Sequence, residues 1–510
     1  MKRHQGIILA LSLLCILGAV LFAISALFRS GFFVSDDGTW MIIRLSAFFQ
    51  SLREGQFPVR FLGRLNYSYG YPVSNFLYPG FLYLGSLIHL VGPSFIDSIK
   101  IIIGGAVLTG AVFTFLWLKR YFKSGVSVVV GTLGFVFAPY LMFDLYTRGS
   151  VGEILAFAWA PMGLYAIAAK KPWLLALATS LLIVSHNSLA VLFLGFYVLY
   201  ITTLGRWRDF WLMALLGVGM VTFFWFPALY ERKYVVFDAV QVADPSAYFV
   251  TMSRAMLLGF SGIGAACIAV FTGKTLAKEK TLFILSFVVS LFMVLPISGF
   301  LWRSSILTHI IQFPYRVLSL TVFIGCWLVA FVLEHQRPFF RFLLSVLCIG
   351  LGVWSVVSSL QKVQYTELPE GYYTTNEATT TVQDEYMPRW VSEKPTQHAY
   401  QKLIFYQGAG TFESRKISTQ SIDVIVHAAQ DSIVQINTIY YPGWGVTLDD
   451  ARVLIDYQNN QGLIRVAVPK GDHRLVAGFR ETISRFMADN ISLGFLIWYG
   501  IAVLVRKRHT

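Results

Sequence analysis

Long apolar stretches recur along the chain, and short polar segments separate them. Most of the stretches reach the roughly 17–25 residues that a membrane-spanning helix needs. They lie at 7–28, 97–118, 124–143, 152–169, 172–186, 188–204, 209–229, 254–272, 281–299, 314–333, 339–359 and 489–505. The pattern predicts a polytopic α-helical membrane protein with about 12 transmembrane helices. The short pair around His186 predicts a tight hairpin, and we expect the first stretch to be a retained helix rather than a cleaved leader.

Basic residues give the orientation of these helices. They cluster at Lys119-Arg120 with Lys123, Lys170-Lys171, Arg206 with Arg208, Lys274 to Lys280, Arg337 with Arg341, and Arg506-Lys507-Arg508. With the N-terminus inside, the positive-inside rule places all of these clusters, and the C-terminus, in the cytoplasm. A full crossing by the apolar piece 76–91 would invert every later loop. We therefore predict that 76–91 is a juxtamembrane or re-entrant segment, or that its partner crossing lies elsewhere.

Composition agrees with a lipid environment. Hydrophobic residues make up 56% of the 510-residue chain and charged residues only 13%, and the mean hydropathy is +0.62. These values exclude a soluble enzyme and a disordered scaffold. The net charge of +14 would suggest nucleic acid, but the excess lies in the predicted cytoplasmic loops, where insertion rules explain it. No nucleic-acid partner is expected.

A polar region interrupts the apolar pattern near the C-terminus. Residues 361–487 alternate apolar and polar side chains, as in Ile422 to Val426, Ile433 to Asn437 and Leu463 to Val468. This period-two alternation predicts a β-sandwich-like domain, and parity places it outside the cell, before the last helix. The predicted division is a multi-pass membrane domain, 1–360, with outer loops 30–75, 144–151, 230–253 and 299–313; the extracytoplasmic domain, 361–487; and a final helix with a basic cytoplasmic tail, 488–510.

The predicted outer loops carry the candidate chemistry. Asp36 and Asp37 could deprotonate a hydroxyl or hold a divalent cation such as Mg²⁺ or Mn²⁺, although Asp36 could equally cap a helix that begins near Gly38. Arginines at four positions could bind a phosphate; they are Arg44, Arg60, Arg148 and Arg316. Arg316 could instead extend its side chain to the interface.

The remaining candidates each have a structural alternative. Glu153 has the spacing of a capping box with Ser150, and His186 could be a hydrogen-bonded turn residue rather than a base. Tyr315 precedes Arg316 at the start of an apolar stretch. No nucleotide-binding loop, zinc motif or nucleophile elbow is present in the sequence.

Together these segments resemble the GT-C type glycosyltransferases, and within them the bacterial YfhO-like and 6-pyruvoyl-tetrahydropterin-synthase-related membrane proteins. The motifs that carry the resemblance are Asp36-Asp37-Gly38 with Arg44, Gly55-x-x-Pro58-x-Arg60, Gly70-Tyr71-Pro72, Tyr146-x-Arg148-Gly149-x-x-x-Glu153, His186, Phe313-Pro314-Tyr315-Arg316, Glu385-Tyr386-Met387-Pro388 and Tyr440-Tyr441-Pro442-Gly443-Trp444. They span nearly the whole chain.

The resemblance implies an inverting transfer of a sugar from a polyprenyl-phosphate donor to a glycan, lipid or protein acceptor. Asp36 or Asp37 would be the base or a metal ligand, and Arg148 and Arg316 would lie near the donor phosphate. Relatives often carry a histidine where this chain has Met41, a departure that bears on metal binding and activity.

Two further points complete the expectation. Tyr441 and Trp444 could stack on an acceptor sugar, or pack inside the β-rich domain.

Two other function classes remain open. One is a transporter or flippase of a lipid-linked envelope precursor, which would favour charges within mid-membrane helices and an inverted repeat. The other is a non-catalytic envelope assembly protein.

Overall fold

The computed structural model describes residues 2–238, 244–273, 275–303, 305–378 and 384–508. Most of the chain before residue 361 is helical, and two further α-helices follow that residue. The bounds of all the described α-helices are given in chain order. They are α1 (Lys2–Ala23), α2 (Gly38–Arg53), α3 (Val73–Phe76), α4 (Gly80–Leu90), α5 (Phe95–Leu118), α6 (Gly125–Val136), α7 (Pro139–Phe143), α8 (Val151–Ala168), α9 (Pro172–Ser185), α10 (Asn187–Thr203), α11 (Trp207–Gly219), α12 (Thr222–Tyr230), α13 (Phe260–Phe271), α14 (Ala277–Val294), α15 (Gly299–Trp302), α16 (Ser305–Ile310), α17 (Leu318–Glu334), α18 (Pro338–Leu360), α19 (Glu370–Thr375) and α20 (Ile483–Arg508).

The chain is a helical membrane protein, as predicted. Among the described residues, seven helices are long and apolar enough to cross a bilayer, and the number rises to ten if each of three bent helix pairs is one span. Two further predicted crossings correspond to α9 and α10, which have 14 and 17 residues. A total of twelve crossings stays a prediction.

The centre of the membrane domain is formed by α8 and α17. In each of these spans 89% of the residues are buried, whereas only 17% are buried in the peripheral α1 and α18. A helix that is apolar on every side must be surrounded by other helices or by lipid. Here the neighbours of α8 include α5 and α9, and those of α17 include α6 and α13.

The C-terminal region is β-rich, as predicted, and contains two antiparallel sheets. A separate short pair is formed by β1 (Phe32–Phe33), in the first outer loop, and β2 (Tyr365–Thr366). The strands of the two sheets are β3 (Leu403–Gln407), β4 (Gly410–Ile417), β5 (Ser421–Ala428), β6 (Ser432–Ile439), β7 (Trp444–Leu448), β8 (Ala451–Val453), β9 (Leu463–Val468) and β10 (Gly471–Phe479). One sheet has the order β4-β5-β10-β7-β8 and the other β3-β6-β9. Alternate residues of β5 (Ile422, Val424 and Val426) are buried with residues of β6 and β9 in one hydrophobic cluster, which is the period-two pattern of the sequence. That the two sheets form a β-sandwich stays a prediction.

Strand pairing and hydrogen bonds join the first outer loop to the second half of the chain. Strand β1 pairs with β2, so that Phe32 lies opposite Thr366. Farther along the loop, the Ile439 N–H donates to the Tyr69 carbonyl at 2.9 Å, and the buried Lys402 ammonium donates to the Ser68 carbonyl at 2.7 Å. Burial lowers the pKa of Lys402 to about 7. The β-rich region is therefore packed directly against the loop that carries Asp36 and Asp37.

The apolar piece 76–91 contains α4, which has 11 residues. At 1.5 Å per residue such a helix is about 16 Å long, roughly half the hydrocarbon thickness of a bilayer. Gly85 of α4 packs against Leu45 of α2 so closely that an added Cβ would meet its methyl groups at 2.7 and 2.8 Å. The helix thus packs on the first outer loop, while its non-crossing orientation stays a prediction.

Cysteine accessibility tests this orientation. In a background with the four native cysteines replaced by serine or alanine, we expect Val91→Cys, at an 81% exposed position, to react with an impermeant maleimide in intact cells. Lys123→Cys should react only after permeabilisation, because the positive-inside rule places that cluster in the cytoplasm. Labelling of Lys123→Cys in intact cells would show that 76–91 crosses the membrane.

Candidate functional site

The first outer loop is held by its backbone to a short π-helical segment, Asp144–Arg148, that precedes α8. The Asp36 N–H donates to the Thr147 carbonyl at 3.0 Å, and the Asp37 N–H donates to the Arg148 carbonyl at 2.8 Å. Single π-helical turns often occur at functional sites. These bonds fix the two aspartates beside Arg148, although they are far from it in the sequence.

Glycine allows this close approach. Gly149 has φ +63°, and a Cβ at that position would lie 2.3 Å from Ser35 Oγ and 3.1 Å from the Gly38 nitrogen. A side chain there would separate the two segments and break both backbone bonds.

Helix α2 begins at Gly38, with Asp37 at its N-cap position. The Asp37 side chain makes no capping hydrogen bond; its Oδ2 lies 3.7 Å from Arg148 Nη2 instead. The alternative in which Asp36 caps this helix is therefore wrong, because Asp36 lies one residue before the cap.

Glu153 is the centre of a buried charge cluster. Its Oε1 accepts hydrogen bonds from Arg148 Nη1 and, at 2.8 Å, from Arg316 Nε, while its Oε2 accepts from the Tyr140 hydroxyl at 3.2 Å. The carboxylate is fully buried, and the two arginines are only 4% and 5% exposed. The capping-box alternative for Glu153 is wrong, because Ser150 makes no side-chain cap and the carboxylate binds arginine.

His186 and two aromatic rings complete the cluster. His186 Nε2 lies 3.5 Å from Glu153 Oε1, and its Nδ1 accepts from the Leu189 N–H at 3.3 Å as the cap of α10. Because Nδ1 accepts, the ring proton of the neutral form is on Nε2, facing the carboxylate. Tyr315 and Phe313 lie under the Arg148 guanidinium, with ring centroids 5.2 and 5.6 Å away. The arginines are thus enclosed by negative charge and ring faces.

The electrostatics separate the two aspartates. Burial raises the pKa of Asp36, and the charge of Asp37 acts in the same direction, while Arg148 and Arg254 oppose them. Asp36 is exposed, so solvent or a substrate can reach it. A carboxylate with a raised pKa is a better proton acceptor than an ordinary aspartate.

Arg44 lies on α2, and its Nη1 is 3.7 Å from the Met41 sulfur. Burial raises the pKa of Tyr78 to about 12; Asp37 and Glu153 act in the same direction, while Arg44 and Arg316 oppose them. The Tyr78 ring lies 4.8 Å from that of His186. Arg44 is itself buried, so its charge acts from beneath the loop surface.

Arg60 belongs to a different cluster. Its guanidinium donates to Asp489 Oδ1 at 2.6 Å, to Glu481 Oε1 at 3.3 Å and to the Phe223 carbonyl at 2.7 Å. These partners lie on α20, just before it, and on α12. The structure therefore does not bring Arg60 together with the two aspartates; it joins the first outer loop to the last helix.

Tyr441 and Trp444 are buried rather than displayed. The Tyr441 hydroxyl donates to Glu231 Oε2 at 2.9 Å, and Trp444 packs edge-on against Phe61 with ring centroids 5.7 Å apart. Both belong to the core of the β-rich region. Their placement matches the packing alternative, since a sugar cannot reach either ring face without rearrangement.

A divalent cation held by Asp36 and Asp37 stays a prediction. Within the described ranges no group of three or more His, Cys, Asp or Glu side chains could hold a metal ion. Asp37 already faces a guanidinium, which competes with a cation for the same oxygen.

Sequence reasoning missed several members of these clusters. Asp144 Oδ1 lies 3.4 Å from Arg148 Nη1, and their four-residue spacing was a usable signal. Arg254 acts on Asp36 from a distant loop, and Arg485 pairs with Glu231 across 254 residues. Neither pairing leaves a local pattern in the sequence. Arg485 lies at the start of an apolar helix, however, and an arginine there is unusual enough to mark a candidate functional or pairing residue.

No protein-family model and no curated protein matches the sequence, whereas solved structures do match the fold. A mutant form of the arabinofuranosyltransferase AftD from Mycobacteria superposes with TM-score 0.50 at 15% identity, over 70% of this chain and 29% of that one. ArnT from Cupriavidus metallidurans, bound to undecaprenyl phosphate, gives 0.43 at 14% identity, over 73% and 68%. The archaeal oligosaccharyltransferase AglB from Archaeoglobus fulgidus gives 0.36 at 12%, over 72% and 56%.

The likeness to AftD is one of fold. The chain spans less than a third of the AftD chain. The match supports the GT-C type of fold that the sequence motifs resemble, and the YfhO-like branch within it stays a prediction.

The Glu231–Arg485 pair gives a test of the packing. Glu231 accepts two hydrogen bonds from Arg485, at 2.8 and 2.7 Å, and both side chains are buried. We expect Arg485→Met to destabilise the protein by roughly 3–5 kcal/mol, because it leaves a buried carboxylate without its partner.

Thermal unfolding in detergent measures this effect. The double variant Glu231→Gln with Arg485→Met should regain most of the loss, since neither charge remains. Equal unfolding temperatures for the wild type and Arg485→Met would contradict the pairing.

Proposed function

We propose that the protein transfers a sugar from a polyprenyl-phosphate-linked donor to an acceptor on the extracytoplasmic face of the cell membrane. The observation that carries the proposal is the placement of Asp36 and Asp37, bonded through their backbone to Thr147 and Arg148, above the buried Glu153 cluster. A GT-C type of fold agrees with this chemistry, and AftD is by its name a transferase of arabinofuranose.

In this proposal Asp36 is the general base. The acceptor hydroxyl attacks the anomeric carbon of the donor, and its proton passes to the Asp36 carboxylate. The bond between the anomeric carbon and the phosphate oxygen breaks at the same time, with inversion, and its electrons remain on the lipid phosphate. Asp37 contributes by its charge, which keeps the pKa of Asp36 raised.

The basic residues near the aspartates stabilise the leaving phosphate. Arg148, Arg316 and Arg44 contribute positive charge from below, in a site of low dielectric where charge is effective. Arg254 is exposed; its Nη1 donates to the Ala247 carbonyl at 3.1 Å, and its other nitrogens would contact the phosphate. Glu153, His186 and Tyr315 are positioning residues, because they contact the arginines or each other rather than the open surface.

Lipid and acceptor complete the proposal. The donor reaches the site from the bilayer, and the acceptor is a glycan, a lipid or a protein. Cytoplasmic termini and an extracytoplasmic β-rich region follow from the same orientation. Any Mg²⁺ or Mn²⁺ would need oxygen ligands from the substrate in addition to Asp36 and Asp37.

Substitution of the aspartates tests the proposal. We expect Asp36→Asn to lower the rate of sugar transfer about 10²–10⁴-fold, the usual contribution of a general base, and Asp37→Asn to lower it less. The measurement is transfer from radiolabelled undecaprenyl-phosphate pentose and hexose donors to envelope acceptors in proteoliposomes.

Asp97→Asn is the matched control. Asp97 lies at the start of α5 with its side chain 59% exposed, so its loss should leave transfer unchanged. Full transfer by correctly folded Asp36→Asn and Asp37→Asn variants would remove both residues from the catalytic assignment.

The pH profile tests the role of Asp36 separately. The charge of Arg254 lowers the pKa of Asp36, so its removal should raise that pKa. Transfer needs the ionised carboxylate, and the acidic limb of kcat/KM for Arg254→Ala should therefore move to higher pH. Arg254→Lys keeps the charge and should restore the wild-type limb. An unchanged or lower limb for Arg254→Ala would exclude Asp36 as the group that titrates.

A further inference from the structure

An open cleft lies at the C-terminal end of α2, away from the Glu153 cluster. Its volume is about 570 Å³, and Gln50, Arg53, Glu54, Arg64, His89 and Phe95 are among the residues that line it. This volume is within the range of small-molecule sites. The lining of the cleft begins at Ser46, nine residues after Asp37, so at 1.5 Å per residue the cleft begins roughly 13 Å along α2 from the aspartates.

One wall of the cleft is rigid and polar. The Arg64 guanidinium donates to Ser46 Oγ at 2.6 Å and to the carbonyls of Thr374 and Tyr373 at 2.6 and 3.1 Å. Gln50 donates to Glu54 at 3.1 Å. Planar side chains that are already fixed lose little entropy when a ligand binds.

The other wall is aromatic. The rings of His89 and Phe95 stack with centroids 3.7 Å apart and an angle of 19°, and Phe49 meets them edge-on at 4.7 and 5.7 Å. His89 Nδ1 lies 2.8 Å from the Pro93 carbonyl. A carbonyl only accepts, so Nδ1 carries the proton and Nε2 of the neutral ring is an acceptor.

The cleft also contains donors. Arg53 is exposed, and no hydrogen bond or ion pair of its guanidinium is found within the described ranges. Arg64 lines the cleft as well, but its Nη1 and Nη2 already donate to the protein, so Arg53 is the donor open to a ligand. The cleft therefore combines an exposed donor, an acceptor and the half-buried rings of His89 and Phe49, whereas Phe95 is buried behind its stacking contact with His89. A hydroxyl group both donates and accepts, and a sugar ring presents several hydroxyls around an apolar face.

From this combination we infer that the cleft is a second carbohydrate-binding site, which takes a saccharide segment distant from the reaction centre. An anionic ligand fits less well, because the Glu54 carboxylate lines the same cleft. The site goes beyond the proposed transfer reaction and does not require it, since binding is measured without turnover.

The test uses the full-length protein in lipid nanodiscs. The probes are fluorescently labelled linear hexasaccharides of glucose, galactose, mannose and arabinose, and the readout is the dissociation constant. We expect at least one probe to bind at millimolar or lower concentration. Arg53→Ala should weaken binding about tenfold, the value of one hydrogen bond to a charged group.

Two further variants separate local from general effects. His89→Phe keeps an aromatic ring on Phe95 but removes the acceptor nitrogen, and it should also weaken binding. Asp36→Asn should bind as the wild type does, because it lies at the other end of α2. Loss of transfer with retained binding in Asp36→Asn would show that the two sites are separate.

Several outcomes would overturn the inference. They are failure of all four probes to bind the wild type at millimolar concentration, unchanged binding in both Arg53→Ala and His89→Phe, and loss of binding in Asp36→Asn. Displacement of the probe by millimolar inorganic phosphate would assign the cleft to anions instead of saccharides.

Discussion

The Glu153 carboxylate is the interaction on which the outer end of the membrane domain depends. It is fully buried, and a buried charge is stable only when it is paired and hydrogen-bonded. Arg148 and Arg316 satisfy it from two different segments. Arg148 in turn contacts the Asp37 carboxylate, and its backbone carbonyl accepts a hydrogen bond from the Asp37 N–H. The position of the first outer loop therefore follows from the neutralisation of one carboxylate within α8.

The same rule explains where the other charges lie. Arg60 meets Asp489 and Glu481, and Arg485 meets Glu231. Each contact joins a loop or helix from the first half of the chain to the region around α20. Charged residues are few in this sequence, and many of those at the outer face form ion pairs between segments that are distant in the chain.

Much of the helical fold could be predicted from the sequence, because apolar stretches of sufficient length have few alternatives to helices in a bilayer. Alternation in Ile422 to Val426 likewise predicts β5. The resemblance implied that Asp36 or Asp37, Arg148 and Arg316 lie near one donor phosphate; the contacts of Glu153 with these arginines and with His186 were not predicted. The partners of Arg60 and Tyr441 could not be predicted, because they lie hundreds of residues away and their choice depends on how the helices pack. The burial of Trp444 could not be predicted either. Tryptophan is a residue type that stacks on sugars, but this one lies in the core of the β-rich region.

The Glu231–Arg485 pair has a consequence for biogenesis. Glu231 follows α12, and its partner is made only when the ribosome has added another 254 residues. Until α20 enters the bilayer, the carboxylate has no guanidinium and its pocket stays incomplete. The last helix thus acts as a closing step, after which the β-rich region, the first loop and the helical bundle are held together. Chains that stop short of α20 lack the guanidinium that neutralises Glu231 in the complete fold.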